Sequence, residues 1–173
     1  MKLAKLFLLL ATMSLISAVP LASDPAAWKG LTPVQVAQIK AGKIVLMDGD
    51  PNDTGSSARF IQAAMIFDQP IEKTYQLFKK TENQARYLPD LDSARVIKRD
   101  AKGDVLELKV VLAGISIVYR IKHVYDDDNY RLAWGLDPSF DNDIEKGDGF
   151  WRLYKLDDTH TFARYGTDVT SPT

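Results

Sequence analysis

The chain has 173 residues, of which 46% are hydrophobic and 26% charged, which is the composition of an ordinary globular domain. Its 22 Lys and Arg against 23 Asp and Glu give a formal net charge of −1. That balance offers no electrostatic reason to expect nucleic acid or an anionic membrane surface as a partner. Cysteine is absent from the sequence, which excludes disulfides, thiol nucleophiles and cysteine metal sites together.

The first segment has the order of charge and hydrophobicity of a secretory signal peptide. Lys2 and Lys5 precede an apolar run over residues 6–16, and small residues follow it. The run is shorter than the roughly 20 apolar residues that span a bilayer. We therefore predict a signal peptide over residues 1–23, a periplasmic or secreted protein, and a mature domain over residues 24–173. An uncleaved N-terminal anchor is the alternative. The small residues at which cleavage could occur are Ser17-Ala18 and Ala22-Ser23.

The next part of the chain alternates predicted strands with short helices. Thr32 followed by Pro33 predicts a helix start, because threonine caps helices and proline is favoured in the first turn. Pro70 opens a second helix, in which apolar residues recur at helical spacing. In chain order the predicted elements are a helix from Pro33, a strand at 43–47, a loop at 48–57, a strand at 59–68, a helix from Pro70 and a short helical piece at 82–87.

From residue 91 onward the pattern changes to strands separated by turns. Apolar and polar residues alternate, and Gly, Asp and Asn cluster between the runs. The chain therefore forms one domain of the α+β class, largely an antiparallel meander after its helices. The predicted strands are 94–99, 105–113, 115–125, 130–136, 149–156 and 161–169.

Alternation assigns the strand residues to two faces. Since successive side chains of a strand point to opposite sides, each strand has one apolar face with Tyr, Trp and His among its members. Such a face packs against helices, and any space left between them is a pocket with few polar groups. Alternation alone favours an ordinary filled core, in which Trp and Tyr find hydrogen-bond partners. The same-face sets are Leu106, Leu108, Val110 and Leu112; Ile117, Tyr119, Ile121 and His123; Tyr130, Leu132, Trp134 and Leu136; and Trp151 and Leu153.

Five short stretches carry a family likeness in their order and spacing. They are 66–75 (IFDQPIEKTY), 87–91 (YLPDL), 130–134 (YRLAW), 149–154 (GFWRLY) and 161–165 (TFARY). Together they resemble the START-like (SRPBCC) superfamily, in particular its polyketide cyclase/dehydrase-type and lipid-transport-like members. The likeness covers residues 43–170. It implies a helix-grip fold, in which a curved antiparallel sheet surrounds a hydrophobic cavity and grips a long C-terminal helix.

The sequence departs from that family pattern at its C-terminal end. It stops at Thr173, directly after the last predicted strand, where the gripping helix of the family would begin. An uncovered apolar sheet would be a large exposed patch, which monomers avoid. Either the sequence is a truncated fragment or the cavity is closed in some other way, and of the two we expect truncation.

The resemblance implies binding, with transport as a further option, of a small hydrophobic or lipid-like molecule in the internal cavity. Combined with the signal peptide, it predicts that this occurs outside the cytoplasm. We expect no cofactor, no nucleic-acid partner and no stable membrane span after signal cleavage. The residues predicted to line the cavity are Leu108, Val110, Tyr119, Ile121, His123, Leu132, Trp134, Trp151 and Tyr165.

Two other functions remain open at this stage. A cyclase/dehydratase-type enzyme would use His123 or Tyr119 as the acid or base, because both share the apolar face. A lone histidine on an apolar face is more often a hydrogen-bonded core residue, and His160 falls in a predicted turn where it is solvated. The third reading is a module that binds a partner protein through the open sheet.

One acidic segment has the spacing of a calcium-binding loop. Its sixth position is Asn142 instead of glycine, its last ligand would be Asp148 instead of glutamate, and its flanks are predicted strands instead of helices. We therefore predict a charged loop at the cavity rim and no metal site. The residues at the ligand spacing are Asp137, Ser139, Asp141, Asp143, Glu145 and Asp148.

Overall fold

The computed structural model describes residues 18–48, 60–86 and 88–170. Residues 1–17 of the predicted signal peptide and the predicted loop at 49–57 lie outside the described residues.

In the part of the chain that the structure describes, eight antiparallel strands form one curved, open sheet with the order β1-β2-β8-β7-β6-β5-β4-β3. Strands that follow one another in the chain pair antiparallel, with the exception of β2 and β3, which lie far apart in the sheet. β2 pairs instead with β8, the last strand in the chain. This confirms the predicted α+β class with an antiparallel meander. The strands are β1 (Val45–Asp48), β2 (Phe60–Phe67), β3 (Leu91–Asp100), β4 (Gly103–Leu112), β5 (Ile115–Asp126), β6 (Arg131–Leu136), β7 (Lys146–Lys155) and β8 (Thr161–Thr170).

Within the described residues two short α-helices accompany the sheet, and both were predicted. In α1 (Pro33–Lys40) the Thr32 hydroxyl accepts from the backbone N–H of Gln35 while the Gln35 side chain accepts from the backbone N–H of Thr32, which is a capping box. In α2 (Ile71–Phe78) Pro70 occupies the N-cap position. The described residues also contain 3-10 helices at Pro25–Trp28, Thr81–Arg86 and Asp127–Asn129.

Several of the predicted element boundaries are wrong. β3 and β7 each begin three residues earlier than predicted, at Leu91 and Lys146. Tyr130, predicted to open β6, lies outside it with a φ of 50°, because the 3-10 turn before it ends in a left-handed residue. Tyr130 packs against Tyr75 of α2 instead, with ring centroids 5.4 Å apart.

The N-terminal segment covers one face of the sheet, here called the outer face. The Trp28 ring stacks on Phe162 of β8 at 4.0 Å between centroids, and Arg164 Nη1 donates to the Ala27 carbonyl at 3.0 Å. A short bridge segment (residues 20–22) runs parallel to the end of β7. There the Lys155 N–H donates to the Pro20 carbonyl at 2.8 Å.

The opposite, inner face is covered by α2 and by the 3-10 helix Thr81–Arg86. Ile71 and Tyr75 of α2 pack against Leu153 and Ala163 of the sheet in one buried cluster. Tyr75 Oη also donates to the Arg131 carbonyl at 3.0 Å, which fixes α2 over the start of β6. A second inner-face cluster contains Leu91, Leu106, Leu108 and Ile121.

A buried carboxylate joins the 3-10 helix to the sheet. Asp104 of β4, whose side chain is fully buried, accepts hydrogen bonds at Oδ2 from Thr81 Oγ1 (2.6 Å) and Tyr125 Oη (2.6 Å). Arg99 Nη2 donates to the same oxygen at 3.0 Å, and His123 Nδ1 lies 2.6 Å from Oδ1. Burial acts to raise the pKa of this carboxyl, but the hydrogen bonds from His123, Thr81 and Tyr125 outweigh it and hold the pKa well below its usual range.

We expect Asp104→Asn to lower the free energy of unfolding at pH 7 by about 3 kcal/mol. The substitution replaces one accepting oxygen by an NH2 group, which cannot accept the hydrogen bonds that the neighbouring side chains donate. The depressed folded-state pKa gives Asp104 a stabilising contribution that is fully present above its unfolded pKa of about 3.9 and is lost as the pH falls below that value. The difference between wild type and variant should therefore narrow progressively as the pH falls below about 4, as measured by urea denaturation.

The matched control is Glu107→Gln, on the same strand and the opposite face, where Arg95 and Arg120 pair with a partly exposed carboxylate. Its cost should stay below about 1 kcal/mol. Equal costs for the two variants would contradict the structural role assigned to Asp104.

Candidate functional site

A cavity of about 430 Å³ lies between the inner face of the sheet, α2 and the 3-10 helix Thr81–Arg86. Its volume falls within the range of small-molecule sites. The residues that line it are Phe67, Gln69, Thr74, Leu77, Phe78, Asn83, Gln84, His123, Leu132, Trp134 and Trp151.

Aromatic rings in mutual contact form one wall of the cavity. Trp151 of β7 lies 4.6 Å from Phe78 of α2 and 4.7 Å from Tyr165 of β8, measured between ring centroids. Phe67 meets Phe78 edge-on at 5.4 Å, and Trp134 lies 5.9 Å from Tyr165. The rings meet edge-on or tilted, which are favourable arrangements for aromatic pairs, so each ring of the wall contacts at least one other.

A glycine gives the Trp134 ring its position. Gly149 of β7 pairs directly with Trp134 of β6, and a Cβ built at Gly149 would overlap the indole ring. The indole of Trp134 therefore packs over the backbone of β7, in the space that a side chain at position 149 would occupy. Glycine at this strand position marks a close approach that no other residue type permits.

The described part of the lining contains no Asp, Glu, Lys or Arg side chain. Its polar members are three amides, Thr74 and His123. Thr74 Oγ1 already donates to the Pro70 carbonyl at 3.1 Å, and His123 is the one titratable group among the described lining residues.

The contact with Asp104 decides which nitrogen of His123 carries its proton. Asp104 is ionised, so it only accepts, and the 2.6 Å contact therefore requires a hydrogen on Nδ1. In neutral His123 the lone pair is then on Nε2. Among the described residues Nε2 has no hydrogen-bond partner, while the ring borders the cavity and lies 5.7 Å from the Trp134 ring.

Sequence reasoning missed Asp104, although a signal for it was present. Asp104 lies two residues before Leu106 and therefore on the same apolar face. The two-residue turn Ala113-Gly114, both at positive φ, sets the β4–β5 register and places Asp104 directly opposite His123. The strand register counted back from that turn would have predicted that Asp104 faces the core directly opposite His123.

The predicted site residues fall into two groups. Four of them line the cavity, and Tyr165 contacts the rings of two of these, Trp134 and Trp151, without lining it. The other four belong to the neighbouring inner-face cluster, where they pack with Leu91 and Leu106 instead of lining the cavity. The lining four are His123, Leu132, Trp134 and Trp151; the cluster four are Leu108, Val110, Tyr119 and Ile121.

Tyr119, the other candidate acid or base, is poorly suited to accept a proton. Burial raises the pKa of its phenol, and the proximity of Tyr165 raises it further. Tyr119 therefore stays protonated at neutral pH. The lining residues from α2 and the 3-10 helix went unpredicted, since strand alternation carries no information about which helix packs on the face.

The acidic segment at 137–148 is used by the fold itself. Asp137 Oδ1 accepts from Ser139 Oγ at 2.7 Å and pairs with Lys122 Nζ at 2.9 Å, and Asp143 Oδ2 accepts from the Val118 N–H at 2.7 Å. Within residues 18–48, 60–86 and 88–170, no three His, Asp or Glu side chains are grouped so that they could hold a metal ion. No helix in that same part of the chain is both long and apolar enough to cross a membrane.

The architecture matches solved structures although the sequence alone matches little. No protein-family model and no curated protein matches the chain. The Zhui aromatase/cyclase from Streptomyces sp. R1128 superposes with a TM-score of 0.59 at 15% identity, over 67% of this chain and 70% of that one. A STAR-related lipid transfer protein from Xanthomonas axonopodis gives 0.59 at 12% identity, over 75% and 85%. TTHA0849 from Thermus thermophilus gives 0.59 at 20% identity, over 66% and 75%. At these identities the likeness establishes the fold alone: the chain has the START-like (SRPBCC) helix-grip fold.

Proposed function

We propose that this protein binds a small, largely apolar molecule in the cavity between α2 and the sheet. The observation that carries the proposal is the 430 Å³ space with aromatic walls on the inner face. An apolar cavity of about 150 Å³ is enough to hold benzene, so this space has room for two or three rings.

The packing around the cavity supports a binding site over a packing defect. The adjoining part of the inner face is filled, with Leu106 fully buried and Leu108 and Ile121 nearly so. The space next to it remains open because the Trp134 indole lies over Gly149 and the Trp151 indole is held between Phe78 and Tyr165. Closely packed protein interiors leave few voids larger than a water molecule, so a cavity of this size is unusual for a packing defect.

The solved structures with this fold include a lipid transfer protein and an aromatase/cyclase. Both names fit a cavity used for apolar or polycyclic molecules. They support the class of ligand proposed here. They do not distinguish a carrier from an enzyme, which depends on the residues of the cavity.

A neutral fluorescent amine with three aromatic rings, N-phenyl-1-naphthylamine, should bind with a stoichiometry of one and a Kd in about the micromolar range. Leu77→Arg at the cavity should weaken binding by about tenfold or more, because the charge must be desolvated or must leave the mouth of the site. Fluorescence titration provides the measurement.

The control is Val34→Arg, an apolar-to-arginine change at an exposed position of α1, which lies against the outer face. It should leave the Kd unchanged. Absence of binding to the wild type, or equal weakening by both variants, would contradict the assignment of this cavity as the ligand site.

A second candidate function is an acid–base enzyme of the cyclase/dehydratase class, with His123 as the base. The observation that favours it is the Asp104-bound His123 ring at an apolar cavity, an arrangement that orients an imidazole for proton transfer. A base there would take a proton from carbon next to a carbonyl, leaving the electron pair as an enolate.

Solvent exchange separates the enzyme from the binding protein without knowledge of the substrate. In D₂O, an enzyme of this kind should speed replacement of the α-protons of 2-tetralone by deuterium by about tenfold or more over buffer, and His123→Asn should abolish the effect. Proton NMR follows the exchange. A simple binding protein binds the ketone without accelerating exchange, and that is the outcome our leading proposal expects.

We also propose that the protein works outside the cytoplasm. The support is the charged, apolar and small-residue order of residues 1–23. Fusion of this segment to a reporter enzyme that becomes active only after export should give activity, and replacing Leu8, Leu9 and Leu10 by Asp should abolish it. Equal reporter activity with and without the three substitutions would refute export by this segment.

A further inference from the structure

In its neutral form His123 presents a hydrogen-bond acceptor, Nε2, at the ligand cavity. The ionised Asp104 fixes the imidazole hydrogen on Nδ1, so the lone pair of neutral His123 is on Nε2. The side chain is almost fully buried, with a relative exposure of 1%, and Nε2 has no partner among residues 18–48, 60–86 and 88–170. A ligand that fills the cavity would close this acceptor off from water, so a ligand without a donor would leave it unpaired at a cost of about 1–3 kcal/mol.

The orientation of the ring is fixed by more than one contact. Asp104 is itself held by Thr81, Tyr125 and Arg99, so the carboxylate cannot turn away from Nδ1. Trp134 lies 5.7 Å from the imidazole on the neighbouring strand. The direction in which Nε2 accepts is therefore set before any ligand enters, and pre-set polar groups give selectivity at little entropic cost.

The rest of the described lining disfavours a charged ligand. It carries no Lys or Arg to balance an anion and no Asp or Glu to balance a cation. An ion placed there would lose its hydration without compensation. Flat rings suit the lining, which includes the aromatic side chains of Phe78 and Trp151 in contact at 4.6 Å between ring centroids.

We propose that the ligand is a neutral molecule of two or three fused rings with a hydroxyl group that donates a hydrogen bond to His123 Nε2. The inference rests on the proposed binding function and adds to it the polarity, charge and hydrogen-bonding class of the ligand. A site built around a buried acceptor rejects analogues that lack the donor, because the acceptor is then left unpaired.

The test compares two probes that differ only in the donor, 2-naphthol and 2-methoxynaphthalene. The ether is the more hydrophobic of the two, so apolar burial alone favours it. Wild-type protein should nevertheless bind 2-naphthol more tightly by about tenfold, the equivalent of one hydrogen bond to a buried partner. Competition against N-phenyl-1-naphthylamine gives both dissociation constants.

His123→Asn is the informative variant. Its amide nitrogen takes the approximate place of Nδ1 and still donates to Asp104, while the group corresponding to Nε2 is removed. The preference for 2-naphthol should disappear in this variant. Leu77→Arg serves as the control, because it should weaken both probes by the same factor and leave their ratio intact.

The outcomes separate the two proposals. If neither probe binds the wild type, the binding function fails and this inference fails with it. Equal affinities of the wild type for the two probes, or a preference that survives in His123→Asn, would overturn the hydroxyl assignment and leave the binding function standing.

A second measurement covers the case in which His123→Asn does not fold. The sequence has two histidines, so nitrogen NMR of imidazole-labelled wild-type protein gives two ring systems to distinguish. We expect the Nδ1–H tautomer for His123, and a shift of its Nε2 resonance with 2-naphthol that 2-methoxynaphthalene does not cause. An Nε2–H tautomer in the free protein would overturn the proposal.

Discussion

The buried carboxylate of Asp104 is the interaction on which the site depends. It accepts hydrogen bonds from Thr81 on the 3-10 helix, from Tyr125 and His123 on β5, and from Arg99 on β3. One ionised group therefore holds three elements of the chain in place. Such a group is tolerated in an interior only when all of its acceptor capacity is used, and here both oxygens are occupied.

The same contacts link the fold to the chemistry of the cavity. Without the 3-10 helix, whose Asn83 and Gln84 line the space, one side of the cavity would be open. Without the ionised carboxylate, nothing would hold the His123 hydrogen on Nδ1. The same hydrogen-bond network therefore stabilises the fold and selects the polarity of the ligand. The donors that keep Asp104 ionised also hold the carboxylate that orients the His123 ring at the cavity.

The shape of the cavity has a separate origin, in the row of residues that crosses the sheet. Trp134 pairs with His123 on one side and with Gly149 on the other. The absence of a side chain at Gly149 lets the indole lie flat, and this large ring then forms a wall instead of filling the space. The pairing of a bulky residue, Trp134, with a residue that has no side chain, Gly149, thus leaves a cavity within a closely packed interior.

Much of the fold could be predicted from the sequence, because strand alternation, turn residues and helix caps are local signals. The Thr32 and Pro70 helix starts and the antiparallel meander follow from them. Local signals also predict that His123, Trp134 and Trp151 share a face. They cannot separate these from Leu108 or Ile121, because whether a face residue meets a void or a neighbour depends on where the 3-10 helix docks.

The bridge segment at residues 20–22 has a consequence for the proposed removal of a leader. Its backbone hydrogen bonds to Lys155, and the Ala22 carbonyl accepts from Trp28 Nε1 at 2.6 Å, so Ala22 is an integral part of the outer-face core. A leader peptidase cutting at 17–18 would leave this segment attached to the domain. A cut at 22–23 would remove a buried methyl group and the backbone partner of β7's last residue. If the proposed leader is removed, the position of the cut therefore decides whether this sheet edge keeps its last backbone partner.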